Sequence, residues 1–359
     1  MDFAKPVKKE ILSFFNYRNL LKILKYNLEF RKEFFLDNPK IDELFNLNDD
    51  KDNEELYIKT IYYFKLVLLL NIEVQQSNKE IKIISREDIF EPKKTNIYIN
   101  GIKDEFKTKY IFKKGNYRIL ISTNEDLPNN LSKMFFKLNN LKSIRFIKFD
   151  SSKVINMSWM FSSCDSLSSI YFNEFDTSNV IDMSWMFSIC TNLSHLNLNT
   201  FNTDKVTNMS YMFCRCHNLS IIDIKNFNTK NVNDISWMFY DCTSLKFIDL
   251  SKFDTSQVTN FSFLFYNCHS LTSIDLSNFN TNKASNMCYM FYECNNLSFI
   301  DINKFNLSLV NNMSYMFFNC HSLSLDISKF KTKKINNVQN MFYGCNFQKF
   351  INNEIKSEK

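Results

Sequence analysis

Glycine and proline are scarce, with 3 glycines and 4 prolines among 359 residues. Phosphate-binding loops of the nucleotide-binding type need several glycines close together, so this composition argues against them. The four prolines, Pro6, Pro39, Pro92 and Pro128, all precede the cysteine-rich part of the chain. That part therefore contains no proline and only one glycine, Gly344, although these are the residues that most often end helices and strands.

Long apolar runs are also missing. The most hydrophobic stretch, "FKLVLLLNI" at residues 64–72, includes Lys65 and falls far short of the roughly 20 residues that span a bilayer. The opening "MDFAKPVKKEILSFF" carries charges where a secretory signal needs an apolar segment. We expect no transmembrane segment and a cytoplasmic location, the alternative being the cell surface or secretion by a non-standard route.

Charge of one sign does not dominate the chain. The formal net charge is +6, with basic and acidic residues interspersed, which gives no support to nucleic-acid binding. Apolar residues make up 45% of the chain, enough for a packed core. We therefore expect a folded protein and no nucleic-acid partner.

A repeat of 26 residues occupies the second part of the chain. Cysteines follow one another at this step, with a last step of 25, at Cys164, Cys190, Cys216, Cys242, Cys268, Cys294, Cys320 and Cys345. A Met-Phe pair precedes each cysteine at the same spacing, except that Leu264 replaces the methionine once. A fixed period of this length indicates stacked coils, each burying its apolar face against its neighbours.

Four regions follow from these patterns. They are a helical N-terminal region at 1–93, a small β connector or cap at 94–130, the repeats at 131–347 and a polar tail at 348–359. Apolar residues three and four apart predict one helix from about residue 11 and another over 54–71. Asn100-Gly101 and Gly115 each lie between apolar runs and predict two hairpins.

One coil, residues 238–263, illustrates the expected local structure. Ile248 and Leu250 are two apart, which predicts a short strand with both side chains in the core. Apolar residues about three apart after Val258 predict an α or 3₁₀ turn on the opposite side. Thr255 is well placed to cap that turn by accepting a backbone N–H.

The repeat resembles a known family in the pattern Met-Phe-x-x-Cys-x-x-Leu-x-x-Ile-Asp-Leu-Ser-x-Phe-x-Thr-x-x-Val-x-x-Met. It is similar to the BspA-like branch of leucine-rich repeat proteins, found in bacterial surface proteins and many protists. The resemblance covers residues 131–347. It implies an α/β solenoid, a right-handed coil with a parallel sheet on one face, that binds proteins and often serves adhesion.

The cysteine ladder has three interpretations. Each cysteine lies within an apolar run, and Leu138 takes the equivalent place in the first coil, as a small buried hydrophobic residue would allow. A reduced structural ladder is therefore favoured. Disulfides are an alternative, because adjacent coils lie about 4.8 Å apart. A metal site is the third, although zinc favours Cys-x-x-Cys spacing, which is absent here.

Two further columns are candidate binding surfaces. The middle position of the strand should face solvent and carries Asp223, Asp249, Asp275, Asp301 and Asp326. These carboxylates bond to neighbouring serines and lysines, form an acidic strip for a basic partner, or hold a bound cation. Directly after Met-Phe stand Tyr240, Tyr266, Tyr292, Phe318 and Tyr343, which either cover the edge of the stack or anchor a partner.

The sequence thus predicts a protein-protein interaction module without catalysis, cofactor or metal. The expected partner is a protein, basic if the acidic strip binds it, and the expected binding surface is the exposed sheet. One alternative is an adaptor whose N-terminal helices dock a larger complex, such as a ubiquitin ligase. The other is a cell-surface adhesin.

Overall fold

The computed structural model describes residues 64–172, 175–302, 304–325 and 335–346. The described residues contain ten strands, one 3₁₀ turn at Pro92–Lys94 and no α-helix. The strands are β1 (Leu66–Val74), β2 (Lys79–Lys82), β3 (Thr95–Ile99), β4 (Ile102–Asp104), β5 (Lys109–Phe112), β6 (Gly115–Thr123), β7 (Leu141–Phe149), β8 (Ser169–Phe172), β9 (His195–Asn197) and β10 (Ile221–Asp223). No helix in this part of the chain has the length and apolar character needed to cross a membrane.

A six-stranded sheet in the order β4-β3-β6-β1-β7-β8 precedes most of the repeats. Its strand β1 corrects the predicted helix over 54–71, because Leu66–Val74 is extended and pairs with β6 on one side and β7 on the other. Leu66 to Leu70 are buried without interruption, as in a strand covered on both faces, and such a run has no period that separates strand from helix. The remaining helical predictions, in residues 1–63, lie outside the described residues.

One of the two predicted hairpins is confirmed. Strands β3 and β4 pair through Ile99 and Ile102, and the turn residues Asn100 and Gly101 have φ of 50° and 81°. Two successive positive φ values are what a tight hairpin turn requires, and Asn-Gly supplies them at low cost. The hairpin at Gly115 was predicted wrongly, since β5 pairs with β2 while β6 pairs with β1 and β3.

Strand β7 belongs both to this sheet and to the first coil of the repeat. It runs antiparallel to β1 and parallel to β8, and β9 and β10 form a second parallel pair. In the later coils the predicted strand is reduced to isolated bridges such as Ser273 to Phe299, and Ile248–Leu250 forms none. From β8 onward, turns on both sides leave only three or four residues per coil for pairing, so each paired segment is short.

The predicted helical turn is also absent from the described coils. In residues 157–164, backbone N–H groups donate in turn to the next coil and to carbonyls of their own coil. Four donate to carbonyls of the next coil: Met157 to Asp182, Trp159 to Ser184, Phe161 to Met186 and Ser163 to Ser188. Three others close tight turns within the coil: Met160 to Met157, Ser162 to Trp159 and Cys164 to Phe161.

The remaining N–H of this segment, that of Ser158, donates to Oδ1 of Asn156. Every backbone donor from 157 to 164 is thus satisfied without a helix. The same side-chain cap recurs in later coils, for instance from Ser184 to Asp182 and from Ser210 to Asn208. Either Asn or Asp can therefore occupy this position, because both side chains supply the acceptor oxygen.

Positive φ angles explain why no helix forms. Each coil has two residues in the left-handed region, four positions apart, such as Trp159 at 61° and Ser163 at 60°. Right-handed helices require negative φ throughout, so these residues interrupt one. The conformation costs about 1–2 kcal/mol for a residue with a Cβ, and the hydrogen bonds between coils offset that cost.

The hydroxyl of Thr255 acts between coils. It donates to the carbonyl of Asn280 and accepts the N–H of the same residue, at 3.0 and 2.8 Å. The predicted cap of its own turn is therefore wrong, although the hydroxyl does accept a backbone N–H. The side chain is fully buried, so this bond satisfies a polar group that has no access to water.

Stacked side chains fill the interior of the repeats. The methionine, phenylalanine and cysteine columns are buried throughout the described coils. Phenylalanine rings stack from coil to coil, with centroids 5.6 Å apart between Phe161 and Phe187 and 5.4 Å between Phe239 and Phe265. Each coil thus buries its apolar face against its neighbours, as the fixed period requires.

Candidate protein-binding face

The strand segment of each coil presents two outward positions beside two inward ones. Ile248 and Leu250 are buried, while Phe247 and Asp249 are exposed. The same alternation holds at 273–276 and 299–302, and at 221–224 with Asp223 half-buried. Outward side chains of successive coils therefore form two parallel columns on one face, which we call the sheet face.

The first column of the sheet face carries large apolar side chains that nothing in the described residues covers. Phe247 is 65% exposed, Phe299 62% and Ile221 56%. Ser273 occupies the same column between the two phenylalanines and is exposed. Sequence reasoning missed these residues, because only the buried partners of each strand were considered; the available signal was a phenylalanine just before the buried isoleucine in two coils that lie two repeats apart, Phe247 and Phe299.

The second column of the sheet face holds the predicted aspartates. Asp249 and Asp275 are exposed, and one carboxylate oxygen of each accepts the backbone N–H two residues later, from Ser251 at 3.0 Å and Ser277 at 2.9 Å. These N–H groups hold the pKa of Asp249 and of Asp275 below the usual range. Both side chains are therefore negatively charged at neutral pH.

The other members of the aspartate column differ. Asp223 is half-buried, lies 3.6 Å from the ammonium of Lys225 and also accepts a hydrogen bond from the amide of Asn199. Asp301 is exposed, and Asp326 lies outside the described residues. No ion pair within 4 Å in the described part of the chain involves Asp249 or Asp275. The charges of Lys252 and Lys225 act on the carboxylate of Asp249 and that of Lys304 acts on Asp275, so both carboxylates are only partly compensated.

The predicted aromatic edge forms one continuous stack. Ring centroids of Tyr240 and Tyr266 are 4.6 Å apart, those of Tyr266 and Tyr292 are 4.5 Å apart, and the stack continues through Phe318 to Tyr343. Burial raises the pKa of Tyr266 well above its usual value. The ring faces contact one another, which leaves mainly ring edges and hydroxyl groups toward solvent.

A second aromatic column lies beside this edge and was not predicted. Its rings stack at 26-residue steps and include all three tryptophans: Trp159, Trp185, Tyr211, Trp237, Phe263, Tyr289 and Tyr315. Trp237 also contacts Tyr240 of the aromatic edge, with ring centroids 4.6 Å apart. The positions of the three tryptophans, one or two repeats apart, were the signal that could have found it.

The cysteine ladder is a column of buried thiols. Each ladder cysteine donates a hydrogen bond from Sγ to a phenylalanine carbonyl of the preceding coil, for example Cys164 to Phe135 at 3.0 Å and Cys242 to Phe213 at 3.1 Å. Burial raises the pKa of Cys164 and of Cys216 to about 12. Thiols held in this way remain protonated and are poor nucleophiles. The described residues contain no group of three or more His, Cys, Asp or Glu side chains placed to hold a metal ion.

Comparison with known proteins identifies the family. The sequence model described as "Mycoplasma protein of unknown function, DUF285" matches residues 129–247 and 233–357, which together exceed half of the chain. The chain belongs to this family. The matched ranges cover the repeats, in agreement with the resemblance to BspA-like leucine-rich repeat proteins.

A solved structure of a leucine-rich repeat protein from Eubacterium ventriosum ATCC 27560 is similar at 19% identity. The match covers 55% of this chain and 60% of that chain, with a TM-score of 0.32. No curated protein matches the chain significantly.

Proposed function

We propose that this DUF285 protein is a non-enzymatic protein-binding module whose sheet face contacts the partner. The observation that carries the proposal is the exposure of Phe247 and Phe299 on one face of the stack. Aromatic side chains are enriched among the residues that dominate binding energy at protein interfaces. The stacked coils hold these side chains at fixed spacing, so little conformational entropy is lost on binding.

Burial of the two phenylalanines against a partner would also supply hydrophobic stabilisation that the fold alone does not provide. An exposed Phe side chain forgoes about 1.5–3 kcal/mol of hydrophobic stabilisation that burial would return. Single exposed apolar residues scattered over a surface are ordinary. Two phenylalanines at the same position of nearby coils, on one face, fit a role in recognition instead. Membership of the family and the repeat architecture agree with a role in protein interaction.

The test compares the intact protein with a double variant, Phe247→Ser and Phe299→Ser. Serine is the residue that the chain itself places in this column at Ser273, so we expect the coils to be preserved. The control is Leu309→Ser, which removes another exposed apolar side chain, 61% accessible, from a different side of the coil. Circular dichroism and thermal melts check the fold of each protein.

Proteins captured from native cells by the intact chain are identified by mass spectrometry and then tested in purified form. We expect the purified partner to bind the intact chain and the Leu309→Ser variant, and to bind the double phenylalanine variant at least about tenfold more weakly. Equal binding by all three proteins would exclude the sheet face as the binding surface.

A further inference from the structure

The two phenylalanines of the sheet face flank a gap. Phe247, Ser273 and Phe299 occupy the same position in three consecutive coils, and Ser273 bridges directly to Phe299 through the backbone. Coils stack at about the spacing of adjacent strands, so the phenylalanines lie about 9.6 Å apart. Ser273 carries only a hydroxymethyl group, which leaves room between the rings for one side chain of a partner.

Negative charge lies next to this gap. Asp249, Asp275 and Asp301 stand two residues along the strands from Phe247, Ser273 and Phe299 respectively, on the same face. No cation forms an ion pair with Asp275 within 4 Å in the described part of the chain: the ammonium of Lys304, whose charge acts on this carboxylate, donates to the carbonyl of Ser277 at 3.2 Å, and that of Lys225 lies 3.6 Å from Asp223. The gap is thus bordered by apolar rings on two sides and by ionised carboxylates on a third.

A basic side chain matches both features. A guanidinium or ammonium group pairs with carboxylates, and its cationic head or aliphatic stem also packs favourably against aromatic rings. Arginine fits best, because its planar group can bond a carboxylate through two N–H donors while one face contacts a ring. Anionic or purely apolar partners would leave the carboxylates unpaired at the interface.

We infer that the partner is a protein segment carrying an arginine or lysine between apolar residues, and that this basic side chain enters the gap over Ser273 to pair with Asp275 and Asp249. The inference rests on the proposed function, since it names the kind of segment that the sheet face binds. The flanking apolar residues of the segment contact Phe247 and Phe299.

The probe is a fluorescein-labelled peptide of about eight residues, long enough at roughly 3.3 Å per residue to cross about five coils. It has one central arginine flanked by leucines. A second peptide replaces the arginine by citrulline, which keeps the shape and removes the charge. Fluorescence anisotropy measures binding of both peptides to the full chain, and we expect the arginine peptide to bind at least about fivefold more tightly.

Two variants locate the interaction. Asp275→Asn keeps an oxygen that can accept the Ser277 N–H, as Asn197 does for Asn199 in the same column, and removes only the charge. Its control is Asp254→Asn, an exposed aspartate that caps Ser256 away from the sheet face. We expect Asp275→Asn to reduce the preference for arginine by at least about threefold and Asp254→Asn to leave it unchanged.

The third variant, Ser273→Phe, fills the gap while adding apolar surface. We expect it to weaken binding of the arginine peptide, whereas tighter binding would show that apolar area alone is recognised. Equal affinity for the two peptides, or a preference that survives Asp275→Asn, would overturn the inference. The proposed function fails separately, if the purified partner still binds after both phenylalanines are replaced.

Discussion

The thiol of Cys216 donates a hydrogen bond to the backbone carbonyl of Phe187 in the preceding coil, with Sγ and the carbonyl oxygen 3.0 Å apart. Seven other ladder cysteines make the equivalent bond, each to a phenylalanine carbonyl. Burial raises the pKa of all eight thiols. The stability of the repeats is therefore linked to pH.

Alkaline pH should unfold the protein cooperatively. A thiol whose pKa is higher in the folded chain keeps its proton there after the unfolded chain has lost it, so stability falls once the pH exceeds about 8.5. Each thiol contributes about 1.4 kcal/mol per pH unit in that range, which makes the combined effect steep. Urea unfolding between pH 7 and about 10 measures it, and Cys216→Ala should reduce the slope by one thiol's share. A free energy of unfolding that stays constant with pH would contradict the burial of these thiols.

Replacing Met212 by alanine should cost about 2–5 kcal/mol of stability, because its fully buried side chain would leave a cavity between coils. Coils are stabilised by their neighbours, so the loss should spread along the stack and lower the melting temperature of the whole array. Asn218→Ala, at an exposed position of the same repeat, is the matched control and should change stability by less than about 0.5 kcal/mol. An unchanged melt for Met212→Ala would refute the register of the coils.

Ile189→Asn should stabilise the protein by about 0.5–1 kcal/mol. Ile189 is a β-branched residue with φ of 60°, a conformation that asparagine adopts more readily. The chain already uses asparagine at the equivalent positions Asn267 and Asn319, with φ of 59° and 57°. Differential scanning calorimetry should rank Ile189→Asn above Ile189→Val, which keeps the branched Cβ and hence the strain; the reverse order would show that the half-buried side chain matters more than the backbone.

Tyr266→Ser should separate the structural from the binding role of the aromatic edge. The serine matches Ser162 and Ser188 in the same column and removes two ring stacks, so we expect a loss of about 1–3 kcal/mol. Tyr343→Ser, where the ring stacks on Phe318 alone among the described residues, should cost about half as much. Binding of the purified partner should be unaffected by either change, and a clear loss of affinity at unchanged fold would assign the edge to the interface instead.

The register of the repeat could be predicted because its marker residues, cysteine and the Met-Phe pair, recur at a fixed step as buried core positions. Cysteine and the Met-Phe pair recur at the step that the bridges follow, as between Asn156 and Asp182 or Asp182 and Asn208. Burial of these columns is fixed by their position in the stack. The Asn-Gly hairpin was predictable for a similar reason, since few sequences tolerate two successive positive φ values.

The conformation between the buried residues could not be predicted in the same way. Apolar residues about three apart fit a helical turn and also fit successive tight turns, and the difference lies in where alternate N–H groups donate. Bulky residues such as Trp159 and Ile189 give no local sign of a left-handed φ, because the bonds to the next coil impose it. Strand β1 was mistaken for a helix since a fully buried strand shows no alternation.

The exposed phenylalanines were missed for another reason. A phenylalanine within an alternating segment is normally assigned to the core, so the position of Phe247 next to the buried Ile248 was not used, and the packing of a complete coil shows its side chain on the outside. The aspartates beside it were found, because a charged residue between two apolar ones points outward in any strand. The aspartate column was thus predictable from residue type, whereas the phenylalanines could be predicted only from their position beside the buried strand residues.

The backbone bonds of the turn segment give the stack a direction. From Leu131 to Asn319, alternate N–H groups of one coil donate to carbonyls of the next coil toward the C-terminus, four times in most coils. Because every coil offers the next the same row of donors, any two coils can meet as neighbours. The array could therefore be lengthened or shortened by whole coils without a new kind of backbone junction between coils.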